Sequence, residues 1–287
     1  MKIIGYQSGH DVSYCILDNG VPVIHEELER FTREKEPLGD GIEMFLNRVP
    51  DEYLKEVKHY TFGNYGIYEG KHADVCISEE SKKGLEELIE KNSAKYHTMG
   101  HHQSHAANTF FSSNYDEALI VTIDGGGTEL DGTRTAYTVW EGKGNKINPV
   151  VITESMKFNL GAPWRKYTGE IFGLSQGWPY GNAAGTVMAM ASPGDPKYWE
   201  EFYPGFLMGD MGAIVNKFKP IADRSEEDAF NVAASIQHAT EVITKEVMQP
   251  YIDKYKPKNL CLSGGVALNS VMVGKMYDWW GDIVENS

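Results

Sequence analysis

The stretch Gly100-His101-His102-Gln103-Ser104-His105-Ala106-Ala107 leads into an apolar run, Ala118-Leu119-Ile120-Val121-Thr122-Ile123-Asp124, closed by Gly125-Gly126-Gly127. His101 and His105 are four residues apart. On an α-helix that spacing sets both imidazoles on one face, one turn above the other. Two neutral imidazoles so placed can hold one transition-metal ion without bending the backbone. The apolar run reads as a buried strand, and a carboxylate at the carboxyl end of such a strand can reach a site outside the sheet. Asp124 is therefore the candidate third ligand. Two His and one carboxylate leave open coordination positions, as a catalytic metal requires. His102 stands beside His101 and leaves the ligand register open. A surface His cluster without metal fits the same residues.

Length and charge bound the rest. A chain of 287 residues can bury a large core, as one large domain or two lobes. The net charge of −14 argues against phosphate-backbone recognition by the whole surface, so nucleic acid is not an expected partner. Cys15, Cys76 and Cys261 are scattered and odd in number. Cys15 and Cys261 lie in strand-like apolar runs, which points to buried free thiols in a reducing compartment. The opening Met1–Gln7 is too short in apolar length for a signal peptide, and no apolar run would span a bilayer. A cytoplasmic protein without a membrane partner is the expectation.

Outward from the His stretch, the amino-terminal side begins with three strands: Lys2–Tyr6, Ser13–Leu17 and Val21–Glu27. Asp18-Asn19-Gly20 joins the last two, and Asn-Gly is a strong tight-turn signal. Gly9-His10-Asp11 turns after the first. The charged segment Glu26–Lys35 reads mainly as solvated. A short helix from Ile42, a strand Val57–Phe62, a Gly- and aromatic-rich loop Gly63–Asp74 and an amphipathic helix Glu79–Lys91 follow. Helix then runs from His101 through Phe111. Beyond Asp124 the opening pattern returns: a Gly turn at Gly125–Gly127, strand Arg134–Glu141, hairpin turn Gly142–Asn145 and strand Val150–Met156. A helix is expected over Ala162–Leu174. Trp178–Met208, rich in Gly, Pro, Trp and Tyr, reads as ordered loop around a short helix at Ala183–Ala191. Ser225-Glu226-Glu227-Asp228 opens a long helix, to about Tyr255, with Val232, Ile236, Ala239 and Ile243 at helical period. Pro257 stops it.

Asn259–Ser263 is then a buried strand, and Gly264-Gly265-Val266-Ala267-Leu268-Asn269 opens a further helix. A Gly-Gly pair between strand and helix lets backbone approach a ligand and points N–H groups at an anion. A tight turn with no ligand accounts for it equally.

Strand, turn, strand, turn, strand, once from Lys2 and again from Ala118, is the way each lobe of the actin-like ATPase and sugar-kinase superfamily opens. More specifically, the sequence resembles the amino-terminal, Kae1-like part of the carbamoyltransferases that include the nodulation and antibiotic O-carbamoyltransferases. The matching stretches, in order, are Gly9–Ser13, Glu29–Lys35, Gly100–Ala107, Ile123–Gly125 and Ser263–Asn269.

The resemblance implies an α/β fold of two actin-like lobes, residues 1–115 and 116–287. It implies a two-step enzyme, in which a YrdC-like domain makes carbamoyl-adenylate from carbamoyl phosphate and ATP. The Kae1-like domain hands the carbamoyl group to a small-molecule hydroxyl acceptor. Iron or zinc would be held by His101, His105 and Asp124. His10 and Lys35 would stand at the transfer site, with Gly125, Gly126, Gly127, Gly264, Gly265 and Asn269 about the nucleotide. For His10 a turn His bonded to backbone fits as well, and for Lys35 a solvated charge.

Three departures from the family pattern stand out. The sequence ends at Ser287, before the further strand, acidic Gly-rich turn, closing helix and YrdC-like domain. Lys35-Glu36 replaces a frequent Lys-His. The stretch Gly181–Ala191 lacks an acid and a Lys that relatives carry. An incomplete second lobe would leave Leu268, Val271, Met272, Met276, Trp279 and Trp280 uncovered, and hence a partner subunit or self-association. Threonylcarbamoyl transfer to tRNA, and a non-catalytic nucleotide- or partner-binding relative, are the competing readings.

Overall fold

A computed structural model describes residues 1–35, 37–63, 77–175 and 183–284. Glu36, Cys76, Gly181, Asn182 and all but Gly63 of the expected loop Gly63–Asp74 lie outside the described residues. Two compact units result. The first holds the described residues of 1–104 and 128–133. The second holds the described residues of 105–127, 134–175 and 183–284. No helix among the described residues is long and apolar enough to cross a membrane.

The first unit is a five-stranded sheet in the order β3-β2-β1-β4-β5. β1 (Lys2–Gln7), β2 (Ser13–Asp18) and β3 (Val21–Glu27) pair antiparallel, and Asn19-Gly20 makes the expected turn with both residues at positive φ. β4 (Val57–Phe62) runs parallel to β1, and β5 (Lys95–Thr98) parallel to β4. Strand alternation sends Ile4, Tyr6, Tyr14, Ile16, Tyr60 and Phe62 to one face. There they meet Ile42, Met44 and Phe45 of α2 (Gly41–Arg48) and Leu85 of α4 (Glu79–Asn92). Asp40 caps α2, accepting from the Ile42 N–H at 2.9 Å. α1 (Glu29–Thr32) and α3 (Asp51–Leu54) are single turns. β5 carries no periodic apolar signal in the sequence. It forms because α4 delivers Lys95–Thr98 alongside β4, with Tyr96 opposite Tyr60.

Residues 30–35 of the charged segment are exposed, as expected, while Glu26 at its start is engaged. Glu26 accepts from the Tyr14 hydroxyl at 2.6 Å and from Arg48 Nε at 2.6 Å. Arg48 also lies over the Phe31 ring. These bonds, Arg48 foremost, hold the Glu26 carboxyl below its usual range. A depressed folded pKa gives stability that is present above the unfolded value, about 4.3, and is lost as pH falls through the folded one. With Glu26 partly exposed, Glu26→Gln should cost about 1 kcal/mol at pH 7 and almost nothing near pH 2. Urea melts at the two pH values check this; an equal cost at both would contradict it.

The second unit is a four-stranded sheet in the order β8-β7-β6-β9. Its strands are β6 (Glu117–Thr128), β7 (Arg134–Lys143), β8 (Lys146–Glu154) and β9 (Leu260–Ser263). β9 runs parallel to β6, and β7 pairs antiparallel with β8 through a turn at Gly144, φ 56°. One face packs Leu119, Val121, Ile123, Tyr137 and Val139 against the apolar stripe of α10 (Glu226–Tyr255). Ser225 caps α10, and Lys256 ends it in the left-handed conformation. The other face packs Ile120, Trp140 and Cys261 against Ala106 and Phe110 of α5 (His101–Phe111), the helix within which the two units divide. Cys15 is half-buried, and burial raises both its thiol pKa and that of the buried Cys261.

Several sequence expectations are corrected here. Gly125–Gly127 is no turn: β6 continues through it to Thr128, so Asp124 lies inside the strand and not at its carboxyl end. The turn lies at Glu129–Thr133, where the Asp131 carboxylate accepts from the Thr133 N–H at 2.9 Å and Gly132 takes φ 83°. α6 (Gly161–Glu170) is shorter than expected, and α7 (Ala184–Met190) falls where the short helix was placed. The supposed loop to Met208 contains α8 (Trp199–Phe206), and α9 (Met211–Ala222) follows. Their aromatic residues pack inward, with Phe202 and Phe218 fully buried.

Nor does the stretch after Val266 lie bare. α11 (Ser270–Val284) turns Met272, Met276 and Trp280 into the core. The Thr244 hydroxyl reaches Met272 Sδ at 3.2 Å, and Trp280 Nε1 donates to Gln249 at 2.9 Å. Trp279 is partly buried against the same core. Leu268 and Val271 alone of that set are exposed.

Candidate metal centre

α5 begins directly after β5, and its first residues are His101 and His102. At 3.6 residues per turn His101 and His105 share a face, and His102 points about 100° away. His102 is fully buried. His105 Nε2 lies 3.1 Å from Asp124 Oδ2, and its Nδ1 lies 3.4 Å from the Ser263 hydroxyl. His101, His105 and Asp124 each offer a ligand atom, and these atoms all lie within 4.8 Å of one another. Asp124 Oδ1 accepts from the Gly125 N–H, which leaves Oδ2 toward His105.

This donor set fits iron or zinc. Bonds near 2.1 Å around one ion set neighbouring ligand atoms about 3.4 Å apart, close to the spacing within 4.8 Å that the three atoms already have. Imidazole nitrogens suit these metals, whereas magnesium prefers an all-oxygen shell. Ser263 supplies the kind of second hydrogen bond that fixes a ligating imidazole's tautomer, leaving Nε2 as the donor atom.

Gly264 and Gly265 sit at the end of the neighbouring strand β9. Gly264 has φ 100°, and a Cβ there would stand 2.3 Å from the Ile123 carbonyl oxygen. A Cβ on Gly265 would stand 3.1 Å from Asp124 Oδ1. The pair is therefore required for close approach to β6 at Ile123 and Asp124, beside the carboxylate. The 3-10 turn Gly265–Leu268 follows, not the helix expected there; α11 starts only at Ser270. Asn269 donates to Gln237 at 2.8 Å and accepts from the Met272 N–H at 3.0 Å, so its side chain starts α11. Gly125 is pressed from its other side by α6: a Cβ on Gly161 would come within 2.4 Å of the Gly125 nitrogen. Asn159 donates to the Gly125 carbonyl at 2.9 Å. Gly126 takes φ 136°.

His10 and Lys35 belong to the first unit. His10 is exposed on the turn after β1, with Nδ1 2.6 Å from Asp11 Oδ2. A carboxylate there keeps the proton on Nδ1 and leaves Nε2 able to accept one. Lys35 is exposed beyond α1. Two residues near the cluster had no signal as site residues in the sequence. Ser263 ends a buried strand and opens the matching stretch Ser263–Asn269, but nothing in the sequence pairs it with His105. Glu129, whose carboxylate accepts from the His102 N–H at 2.8 Å, followed what read as a Gly turn.

The two sheets and their strand orders define a mixed α/β fold of the actin-like type. The crystal structure of T. kodakarensis HypF shares it, with TM-score 0.56 and 12% identity over 99% of this chain and 44% of that one. Within that class, residues 210–279 match the family described as carbamoyltransferase N-terminus, so the family resemblance holds. Among curated relatives, nodulation protein NolNO of Sinorhizobium fredii is 29% identical over 195 residues, 62% of this chain and 26% of that protein. A tRNA N6-adenosine threonylcarbamoyltransferase of Oenococcus oeni is 24% identical over 287 residues, 93% of this chain and 80% of that protein. The chain spans about half the length, or less, of the curated relatives it matches first.

Proposed function

We propose that this transferase-family chain moves a carbamoyl group from carbamoyl-adenylate to the hydroxyl of a small molecule, the new C–O bond replacing the one to the phosphate and AMP leaving. The observation that carries the reading is the convergence of His101, His105 and Asp124 beside the Gly264-Gly265 turn. In this reading the three side chains hold iron or zinc, which when bound supplies a Lewis acid for the carbamoyl oxygen. Ser263 orients His105. The N–H groups of the 3-10 turn at Gly265 face the nucleotide phosphate, and the glycines admit it to close range. His10, with Asp11 holding its Nδ1 proton, accepts the acceptor's hydroxyl proton at Nε2. Lys35 balances negative charge on the donor. Carbamoyl-adenylate is made from carbamoyl phosphate and ATP by a YrdC-like part.

Threonylcarbamoyl transfer to tRNA is the second reading, favoured by the Oenococcus relative; the net charge of −14 stands against a nucleic-acid acceptor. The test combines zinc- or iron-loaded protein, carbamoyl phosphate, ATP and a separate YrdC-like protein with a panel of sugar and polyol hydroxyls, and with tRNA in parallel. Carbamoylated product is read by mass spectrometry. Transfer to a small hydroxyl compound that disappears with His105→Ala is the expected result. Turnover no higher than that of His105→Ala would reject the proposal, and product on tRNA with threonine and bicarbonate as donors would favour the second reading.

A further inference from the structure

α5 carries its first candidate ligand at its first residue, where a helix is least suited to a cation. The first backbone N–H groups of a helix have no partner within it, and the aligned peptide dipoles give that end roughly half a positive charge. No acidic residue lies in the first turn of α5 to offset this. Glu129 comes instead from the turn that follows β6. It is 6% exposed, and its Oε1 accepts from the His102 N–H at 2.8 Å. Its Oε2 lies against Gly100, where a Cβ would come within 2.0 Å. The turn itself is closed by bonds from the Glu129 N–H to the Thr133 carbonyl and from the Gly132 N–H to the Glu129 carbonyl, both 2.9 Å. The carboxylate is thus fixed by its own backbone and seated at the helix start through the missing side chain of Gly100.

We propose that Glu129 is a positioning residue for the metal cluster: it caps the first turn of α5 from the β6–β7 turn, fixes His101 for ligation and offsets the helix charge that would repel a cation. The inference rests on the reading of His101, His105 and Asp124 as a metal centre. Glu129 is not itself in the ligand group. It acts by orientation and charge, and partners of that kind change metal affinity about 10- to 100-fold.

Zinc affinity of the full chain, by competition with a chromogenic chelator, tests this alongside thermal melting of the metal-free protein. Glu129→Gln keeps an acceptor oxygen for the His102 N–H and removes the charge. It should weaken zinc about fivefold, while Glu129→Ala, losing both, weakens it about 50-fold. Gly100→Ala, which evicts the carboxylate from the opposite side, should match Glu129→Ala. If wild type binds zinc and all three variants bind it equally well, with only the melting temperature lowered, Glu129 is structural and the proposal falls. If wild type binds no zinc, the metal centre itself falls, and the role of Glu129 in it.

Discussion

Replacing either His101 or His105 by alanine should strip the purified protein of iron or zinc, from near one equivalent to less than about a tenth. With three protein ligands, losing one leaves an imidazole and a carboxylate on adjacent elements, too few for a transition metal against competing water. His102→Ala should behave in the opposite way. That side chain is fully buried, so its removal leaves a cavity and costs about 2–4 kcal/mol of stability. The ligand group does not include it, so metal is retained. Elemental analysis of the three variants, paired with urea melts of the metal-free proteins, separates loss of metal from loss of fold. A His102→Ala protein that keeps its stability and loses its metal would reassign the ligand register.

The largest stability effect is expected at Gly264. Any other residue there must hold φ near 100°, which costs about 1–3 kcal/mol, and must also push a Cβ away from the Ile123 carbonyl oxygen. The second cost falls on the backbone of β6, inside the core that Ile123 helps form. Gly264→Ala should therefore lose more than about 4 kcal/mol, a large part of a typical domain's stability. Gly265→Ala is the informative neighbour. The atoms nearest its Cβ are those of the Asp124 carboxylate, Oδ1 at 3.1 Å, so the protein should fold with little loss while metal affinity drops as Asp124 is displaced. Gly185→Ala is the control: its Cβ would meet nothing within 4 Å, on a helix where alanine is preferred to glycine by up to about 1 kcal/mol. Equal melting temperatures for Gly264→Ala and Gly185→Ala would show that the close approach at β6 is not needed.

Local pattern was enough wherever one element's own period carried the information. The four-residue spacing of His101 and His105, the cap at Ser225 and the apolar stripe from Val232 to Ile243 each depend on neighbours within the same helix. The elements they announce run His101–Phe111 and Glu226–Tyr255, as read. Asn19-Gly20 likewise fixes the β2–β3 turn by backbone preference alone. The Gly-Gly pair after β9 is legible in the same way, because an apolar run precedes it; Asp124 also follows an apolar run but lies inside β6, not at its end.

What the sequence could not contain was which elements become neighbours. β5 is polar and four residues long, and is a strand only because β4 offers it an edge. Gly125–Gly127 looked like a turn because glycine permits one; in the folded chain they continue β6, and Gly125 instead lets Gly161 and Asn159 press against the strand. Met272, Met276 and Trp280 looked uncovered until α11 folded them onto α10, a packing choice that the sequence leaves open. Ser263 and Glu129 reach His105 and the start of α5 across 158 and 27 residues of chain. Hydrogen bonds of that separation are set by how strands and helices are laid side by side. Residue types at local spacing therefore named the three candidate ligands, and tertiary structure alone decided what holds them in place.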